Sequence, residues 1–424
     1  MSNKKIKILL LTWEMLPIYA GGLGVLARSV VEELRKQGAE VVVALPHIPK
    51  FIKIDDCISL EKAIQKYYKQ KPTIPNLDFH LEFFKKSNRP AGPNWPKLFQ
   101  QDTALKKTSY NLYPNNTPAI TRSFAFAVLD CLKKNPDFDI VIGMDWETIP
   151  TMKLMKETGL KTPFAFYING TEYDRNLDNN KLDNATKTIW GLEKKYYNQA
   201  DFLICVSDLT KNILISKFDV EPEKITTVFN DVDFKPGKKG LQFISKNKTI
   251  LFIGRISAQK GLFFLIDTMA KVVKIDSEIK LIIAGDGELV STVMEKVCEL
   301  ELENNIIFTG WLSETEKKKI YKNASLFLMP SPSEPFGLTP LESISSGLAV
   351  ISSENCGFLG VIPSTPTFKY YDTEDFSRII LYYLNNREKL QELIQKQSLE
   401  LSKHSWSKEI GKILTAIKKL KNNL

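Results

Sequence analysis

Glu334 and Glu342 stand eight positions apart in Ser333-Glu334-Pro335-Phe336-Gly337-Leu338-Thr339-Pro340-Leu341-Glu342. Two carboxylates joined by Pro, Gly and Pro can serve one polar ligand when the first sits in a loop and the second in the following helix. An isolated E-P-x-G is ordinary turn chemistry with a solvated acid, so the surrounding pattern has to decide. A second charged pair, Arg255 and Lys260, lies five positions apart in Gly254-Arg255-Ile256-Ser257-Ala258-Gln259-Lys260-Gly261. A planar guanidinium and a point-charge ammonium on one turn suit a diphosphate better than a single carboxylate. Taken alone, they are two surface cations. Gly21-Gly22-Leu23-Gly24 offers backbone amides that can approach a phosphate or sugar without Cβ atoms in the way. It is not G-x-G-x-x-G, and no acidic residue follows the second strand as a ribose clamp, which disfavours NAD. Polar clusters complete the set: Asp145-Trp146-Glu147, residues 169–175 with Asn169 and Glu172, Ser207-Asp208 and Asn230-Asp231.

Each of these features adjoins a short apolar run. In the first half, residues 6–12, 41–45, 139–142, 163–168, 201–206 and 225–229 read as buried strands. In the second half, 249–253, 279–284, 306–308, 326–329 and 350–352 do the same. Leu23, Leu26, Val30 and Leu34 keep helical spacing until Gly38 stops the helix, so the chain opens on a βαβ unit. Helices are also predicted over 121–134 and 148–157. Strand 326–329, a Pro/Gly turn and an apolar helical pattern reaching Gly347 put Glu334 at the C-terminal end of a parallel strand. Glu342 falls inside the next helix. Open α/β sheets bind ligands at that edge. The pattern predicts an α/β fold of two Rossmann-like domains facing across a cleft. The first domain spans 1–235, the second spans 236–405, and a Pro/Gly/Lys-rich linker lies at 233–247. Residues 46–118, punctuated by prolines, read as an irregular surface excursion.

At 424 residues, with 43% apolar and 25% charged side chains, the chain fits soluble domains. The apolar run 8–11 is too short for a signal or a membrane span, and a cytoplasmic location is expected. Five scattered cysteines without C-x-x-C predict reduced, mostly buried thiols. Three histidines leave little for a His-based metal site. A net charge of +9 suits anionic ligands. No compact Arg/Lys block interleaves with aromatics, so nucleic acid is not an expected partner.

Taken in order, these residues resemble the two-domain GT-B glycosyltransferases, specifically the retaining nucleotide-sugar group that includes glycogen and starch synthases and many bacterial glycan transferases. The resemblance is carried by Gly21-Gly22-Leu23-Gly24, Asp145-Trp146, Thr171-Glu172-Tyr173-Asp174, Gly254-Arg255 with Lys260-Gly261, and residues 333–342. It spans the chain except 46–118. It implies a hexosyltransferase that moves glucose from UDP- or ADP-glucose to a glycan acceptor. Retention by front-face attack needs no side-chain nucleophile, so the paired-carboxylate logic of glycosidases does not transfer. By the same resemblance Arg255 and Lys260 hold the donor diphosphate and stabilise the departing nucleotide. Glu334 faces the sugar and Glu342 takes the ribose hydroxyls. Phe336, Gly337, Leu338 and Thr339 offer backbone amides to the phosphates. Gly22 is the close-approach point, and Asp145, Asn169 and Glu172 line the sugar and acceptor side. No metal and no cofactor is required, because the cations and amides do the work of a divalent ion.

Four positions depart from the glucan-synthase pattern. Met144 and Asn169 stand where relatives usually carry histidines, Glu354 where lysine is common, and Gly360 where an acidic residue is usual. Met144, Asn169 and Glu354 motivate one alternative, a non-catalytic sugar- or nucleotide-binding relative. A second alternative keeps the fold but changes the acceptor to a lipid-linked or cell-wall glycan at a membrane surface. Ile410, Ile413, Leu414, Ile417 and Leu420 form one stripe among lysines. A helix over 406–424 that packs back on the first domain is expected. Peripheral contact of this basic helix with an acidic membrane is the alternative.

Overall fold

Short apolar runs bounded by glycine, proline or polar clusters form parallel strands, and the central strands of each sheet are buried on both faces by the helices that connect them. The computed structural model describes residues 5–18, 22–48, 57–70, 117–175, 184–232 and 248–423. The first sheet holds β1 (Lys7–Leu11), β2 (Glu40–Leu45), β3 (Cys57–Ser59), β4 (Ile140–Met144), β5 (Phe164–Ile168), β6 (Phe202–Cys205) and β7 (Ile225–Thr227). Their order is β3-β2-β1-β4-β5-β6-β7. The second holds β8 (Thr249–Ile253), β9 (Lys280–Ala284), β10 (Ile306–Gly310), β11 (Leu326–Met329), β12 (Ala349–Ser353) and β13 (Thr367–Phe368), in the order β10-β9-β8-β11-β12-β13. Every pairing between these strands is parallel. Both orders reverse once, at β1/β4 and at β8/β11. Those reversals are the switch points where connections leave in opposite directions and open a crevice.

Two sequence readings need correction. Residues 46–118 are not irregular throughout: β3 extends the first sheet beside β2, and helix Glu61–Gln70 packs on helix Thr117–Lys134. Ile64 is the buried residue that anchors helix Glu61–Gln70. Strand β4 also runs on through Met144, because Gly143 and Met144 are as buried as the residues before them. The linker at 233–247, the prolines between 72 and 114, and Gly21 lie outside the described residues.

The chain divides into two compact units. One comprises Met1–Val206, Thr210–Val228 and Trp406–Leu424, and the other Ser207–Leu209 and Phe229–Ser405. Helix Trp406–Asn423 thus joins the first unit, packing on helix Gly22–Lys36 and on β7. Ile410, Ile413, Leu414 and Ile417 are buried there. Gln37 Nε2 donates to Ser407 O at 2.7 Å, and Lys421 pairs with Asp139 at 2.6 Å. The apolar stripe that a lipid surface would need is consumed by this packing. No described helix is long and apolar enough to cross a membrane. Of the cysteines, Cys205 and Cys356 are buried but Cys298 is exposed, so the expectation of mostly buried thiols holds only in part.

Candidate active site

In the second unit, β8 and β11 lie side by side at the switch point, and their outgoing loops carry Lys260 and Glu334. The Lys260 ammonium and the Glu334 carboxylate form a direct ion pair, with side chains 19% and 11% exposed. The Glu334 loop is held rigidly. Glu334 N donates to Asn355 O at 2.9 Å, Gly357 N to Glu334 O at 2.9 Å, and Phe358 N to Phe336 O at 2.8 Å. These bonds continue the β11–β12 ladder beyond the strands themselves. A Cβ at Gly261 (φ +67°) would lie 2.1 Å from Pro330 O, and one at Gly357 would lie 1.9 Å from Pro335 O. Only glycine lets the β8 turn and the β12 turn clasp residues 330–335 from both sides.

Phe336 is buried, and Gly337 is the N-cap of helix Leu338–Ser345. The amides of Leu338 and Thr339 fall in the first turn, where no preceding carbonyl can accept them. Pro340, at the third position, has no N–H to leave unsatisfied. Glu342 lies in the same helix, but its Oε2 accepts a hydrogen bond from Tyr321 Oη and forms an ion pair with Lys317 Nζ, both at 3.0 Å. Arg255 is exposed and has no ion-pair partner among the described residues. The structure therefore brings Lys260 and Glu334 together, and leaves Arg255 and Glu342 out of that pair. Glu354 is exposed. At Gly360 a Cβ would meet the Phe229 ring at 2.6 Å, which explains why no acidic side chain fits there.

In the first unit, Asp145 and Asn169 follow the adjacent strands β4 and β5. Asp145 Oδ1 accepts from Asn169 N at 2.9 Å, and Asn169 Nδ2 sits 3.3 Å from each carboxylate oxygen. Asn169 thus supports Asp145, and its own Oδ1 is buried without a hydrogen bond. The Asp145 backbone is strained, at φ 56° and ψ −175°, a region that non-glycine residues occupy only where surroundings enforce it. Here Tyr167 O takes the Asp145 N–H at 3.1 Å, and the Thr148 hydroxyl donates to Asp145 O at 2.8 Å. Glu172 is buried, with Oε2 at 3.5 Å from Arg175 Nη1. Gly22 is the exposed first residue of helix Gly22–Lys36.

Residues 7–224 match the family "Starch synthase catalytic domain", and residues 233–399 match "Glycosyl transferases group 1". The chain belongs to the GT-B glycosyltransferases. An uncharacterized glycosyltransferase of Methanocaldococcus jannaschii is 24% identical over 371 residues, 84% of this chain and 83% of that one. The alpha-monoglucosyldiacylglycerol synthase of Streptococcus pneumoniae is 30% identical over 235 residues, which is 52% of this glycosyltransferase and 53% of the synthase. Among solved structures, the sucrose-phosphate synthase of Thermosynechococcus elongatus shares the fold. Its TM-score is 0.72 at 17% identity, over 99% of this chain and all (100%) of that one.

Two groups in the glycosyltransferase escaped sequence reasoning. Lys317 and Tyr321 belong to a helix without any motif, and only the fold sets them against Glu342. The second group is a set of buried acids around Asp145. Burial, with the Asp145 charge adding to it, pushes Glu147 up to about 8. Burial likewise raises Asp145, although the Arg175 charge and the Asn169 hydrogen bonds oppose it. Burial holds Glu193 well above the ordinary carboxylate range. For Arg175, burial works against the guanidinium but is outweighed by Glu172, Asp145, Glu193 and Glu147, so it stays charged. Glu147 was visible as part of a polar cluster, whereas Glu193, inside helix Asn184–Tyr197, gave no signal.

Proposed function

We propose that this glycosyltransferase moves glucose from UDP- or ADP-glucose to a glycan hydroxyl with retention of anomeric configuration. The observation that carries this reading is the Lys260–Glu334 pair at the β8/β11 switch point, next to the unpaired first-turn amides of Leu338 and Thr339. An anionic diphosphate draws on Lys260, Arg255 and those amides. Their charge and dipoles stabilise the negative charge that builds up as the sugar–phosphate bond breaks. The acceptor oxygen bonds to the anomeric carbon, the bonding pair to phosphate leaves with the diphosphate, and the acceptor proton passes to a departing phosphate oxygen. Glu334, released from Lys260 by the incoming anion, faces the sugar. Glu342 takes the ribose, and Asp145, Asn169 and Glu172 belong to the sugar and acceptor side. With two cations and two amides supplying positive potential, no divalent ion is needed.

Incubation with a panel of nucleotide sugars, with free nucleoside diphosphate as the readout, tests this directly. UDP- or ADP-glucose should give the fastest release, and EDTA should leave the rate unchanged. Glu334→Gln and Arg255→Ala should each lower turnover about 100-fold or more while unfolding stays cooperative. Undiminished activity in both variants would overturn the assignment. Likeness to the alpha-monoglucosyldiacylglycerol synthase, whose name gives a glucosyl-lipid as its product, favours a second reading, in which the acceptor is a membrane lipid such as diacylglycerol. Parallel assays with soluble glucans and with diacylglycerol in mixed micelles separate the two.

A further inference from the structure

We propose, resting on the ribose role read for Glu342, that Lys317 and Tyr321 are positioning residues that fix the Glu342 carboxylate for the donor ribose. Helix Glu314–Asn323 starts at a capping box in which Glu316 Oε2 accepts from Ser313 N at 2.8 Å and Ser313 Oγ accepts from Glu316 N at 3.3 Å. With the start of the helix set, Lys317 and Tyr321, four residues apart, share one face. Tyr321 Oη donates to Glu342 Oε2 and the Lys317 ammonium forms an ion pair with the same oxygen, at 3.0 Å each, while Lys317 Nζ also donates to Glu314 Oε1 at 3.2 Å. Among the described residues, Oε1 accepts no hydrogen bond, and the side chain is 31% exposed. One oxygen is thus pinned by a hydrogen bond and an ion pair while the other stays open.

This arrangement suits a vicinal diol. An unheld glutamate samples several rotamers and loses that freedom when it binds, whereas a carboxylate fixed at Oε2 presents Oε1 in one orientation. Lys317 also offsets the negative charge of Glu342, which would otherwise repel the nearby diphosphate. Both donors keep their protons. Burial raises the Tyr321 hydroxyl, with the Glu342 charge adding to it. For Lys317 burial works against the ammonium, but Glu342 and Glu314 outweigh it and hold it above the ordinary lysine value.

Titration calorimetry of the wild type with UDP, ADP and GDP selects the tightest of the three, and that nucleotide and its 2′,3′-dideoxy counterpart serve as probes. The wild type should prefer the ribonucleotide by about tenfold. Tyr321→Phe and Lys317→Met should cut that preference to about threefold or less, with affinity for the dideoxynucleotide near wild type. A loss of affinity that is uniform for both probes marks Lys317 and Tyr321 as merely structural and overturns the proposal. So does a full ribose preference in both variants while Glu342→Gln loses it; in that case the ribose role of Glu342 stands. If Glu342→Gln also keeps the preference, the ribose reading falls and the positioning role with it. Binding of none of the three nucleotides overturns the nucleotide-sugar function itself.

Discussion

Glu147 is the residue whose burial has the plainest consequence. Its ordinary value is 4.5, and burial followed by the Asp145 charge lifts it to about 8 in the folded chain. Because the folded state holds this proton more tightly than the unfolded one, its contribution to stability is fully present below pH 4.5. That contribution is lost as the pH rises towards 8. Asp145 and Glu193 shift in the same direction and steepen the fall. Urea midpoints measured from pH 5 to 9 should therefore decline, and Glu147→Gln should flatten the slope. A midpoint that climbs with pH would contradict the buried-acid picture. None of this was visible in the residues alone. Asp145-Trp146-Glu147 reads as a polar cluster in sequence, and only the fold buries Asp145 and Glu147 and sets Glu172, Glu193 and Arg175 near them. The four departures at Met144, Asn169, Glu354 and Gly360 were legible as identities. That Asn169 serves Asp145, or that Phe229 fills the space beside Gly360, was not.

At the scale of elements, the strands were the most readable part. β8 and β11 have the bounds that hydrophobicity alone suggests, because a strand buried on both faces is apolar at nearly every position. Strand ends were less readable. β10 runs to Gly310 and β4 to Met144, since pairing with a neighbour rather than composition decides where a ladder stops. The two-residue β13 has no apolar run to announce it. The glycine turns carried more information than their spacing showed. Gly261→Ala forces a side chain into left-handed backbone and against Pro330 O, and should cost roughly 1–3 kcal/mol while weakening turnover by shifting Lys260. Gly191, in helix Asn184–Tyr197, has no atom within 4 Å of a would-be Cβ. Gly191→Ala should instead stabilise by about 0.5–1 kcal/mol. Chemical denaturation of the two variants side by side checks both signs, and equal effects would deny the clasp around 330–335.

For the whole molecule, the last helix is the feature whose role depends most on context. A stripe of five isoleucine and leucine side chains among lysines, four of them buried here, has the same sequence signature whether it faces lipid or protein. Packing on helix Gly22–Lys36 and β7 settles which face it has. At roughly 1.5–3 kcal/mol for each fully buried aliphatic side chain, this contact is large beside the ~5–15 kcal/mol by which domains are usually stable. Truncation after Ser405 should therefore give a chain that melts at least ~10 °C lower and binds a hydrophobic dye, as measured by differential scanning fluorimetry and ANS emission. An unchanged melting profile would show that the first unit does not depend on the helix.

By itself, the sequence determined the α/β class, the two sheets and the five motifs that mark a GT-B glycosyltransferase. These follow from local rules: apolar runs make buried strands, and glycines mark their sharp turns into helices. Tertiary structure alone decided which charged groups meet. Lys260 finds Glu334 across 74 positions and Lys317 finds Glu342 across 25, because strand order and helix packing, not spacing along the chain, bring those loops and faces together. The strain at Asp145 and the raised Glu147 arise in the same way, from neighbours that only the folded chain supplies.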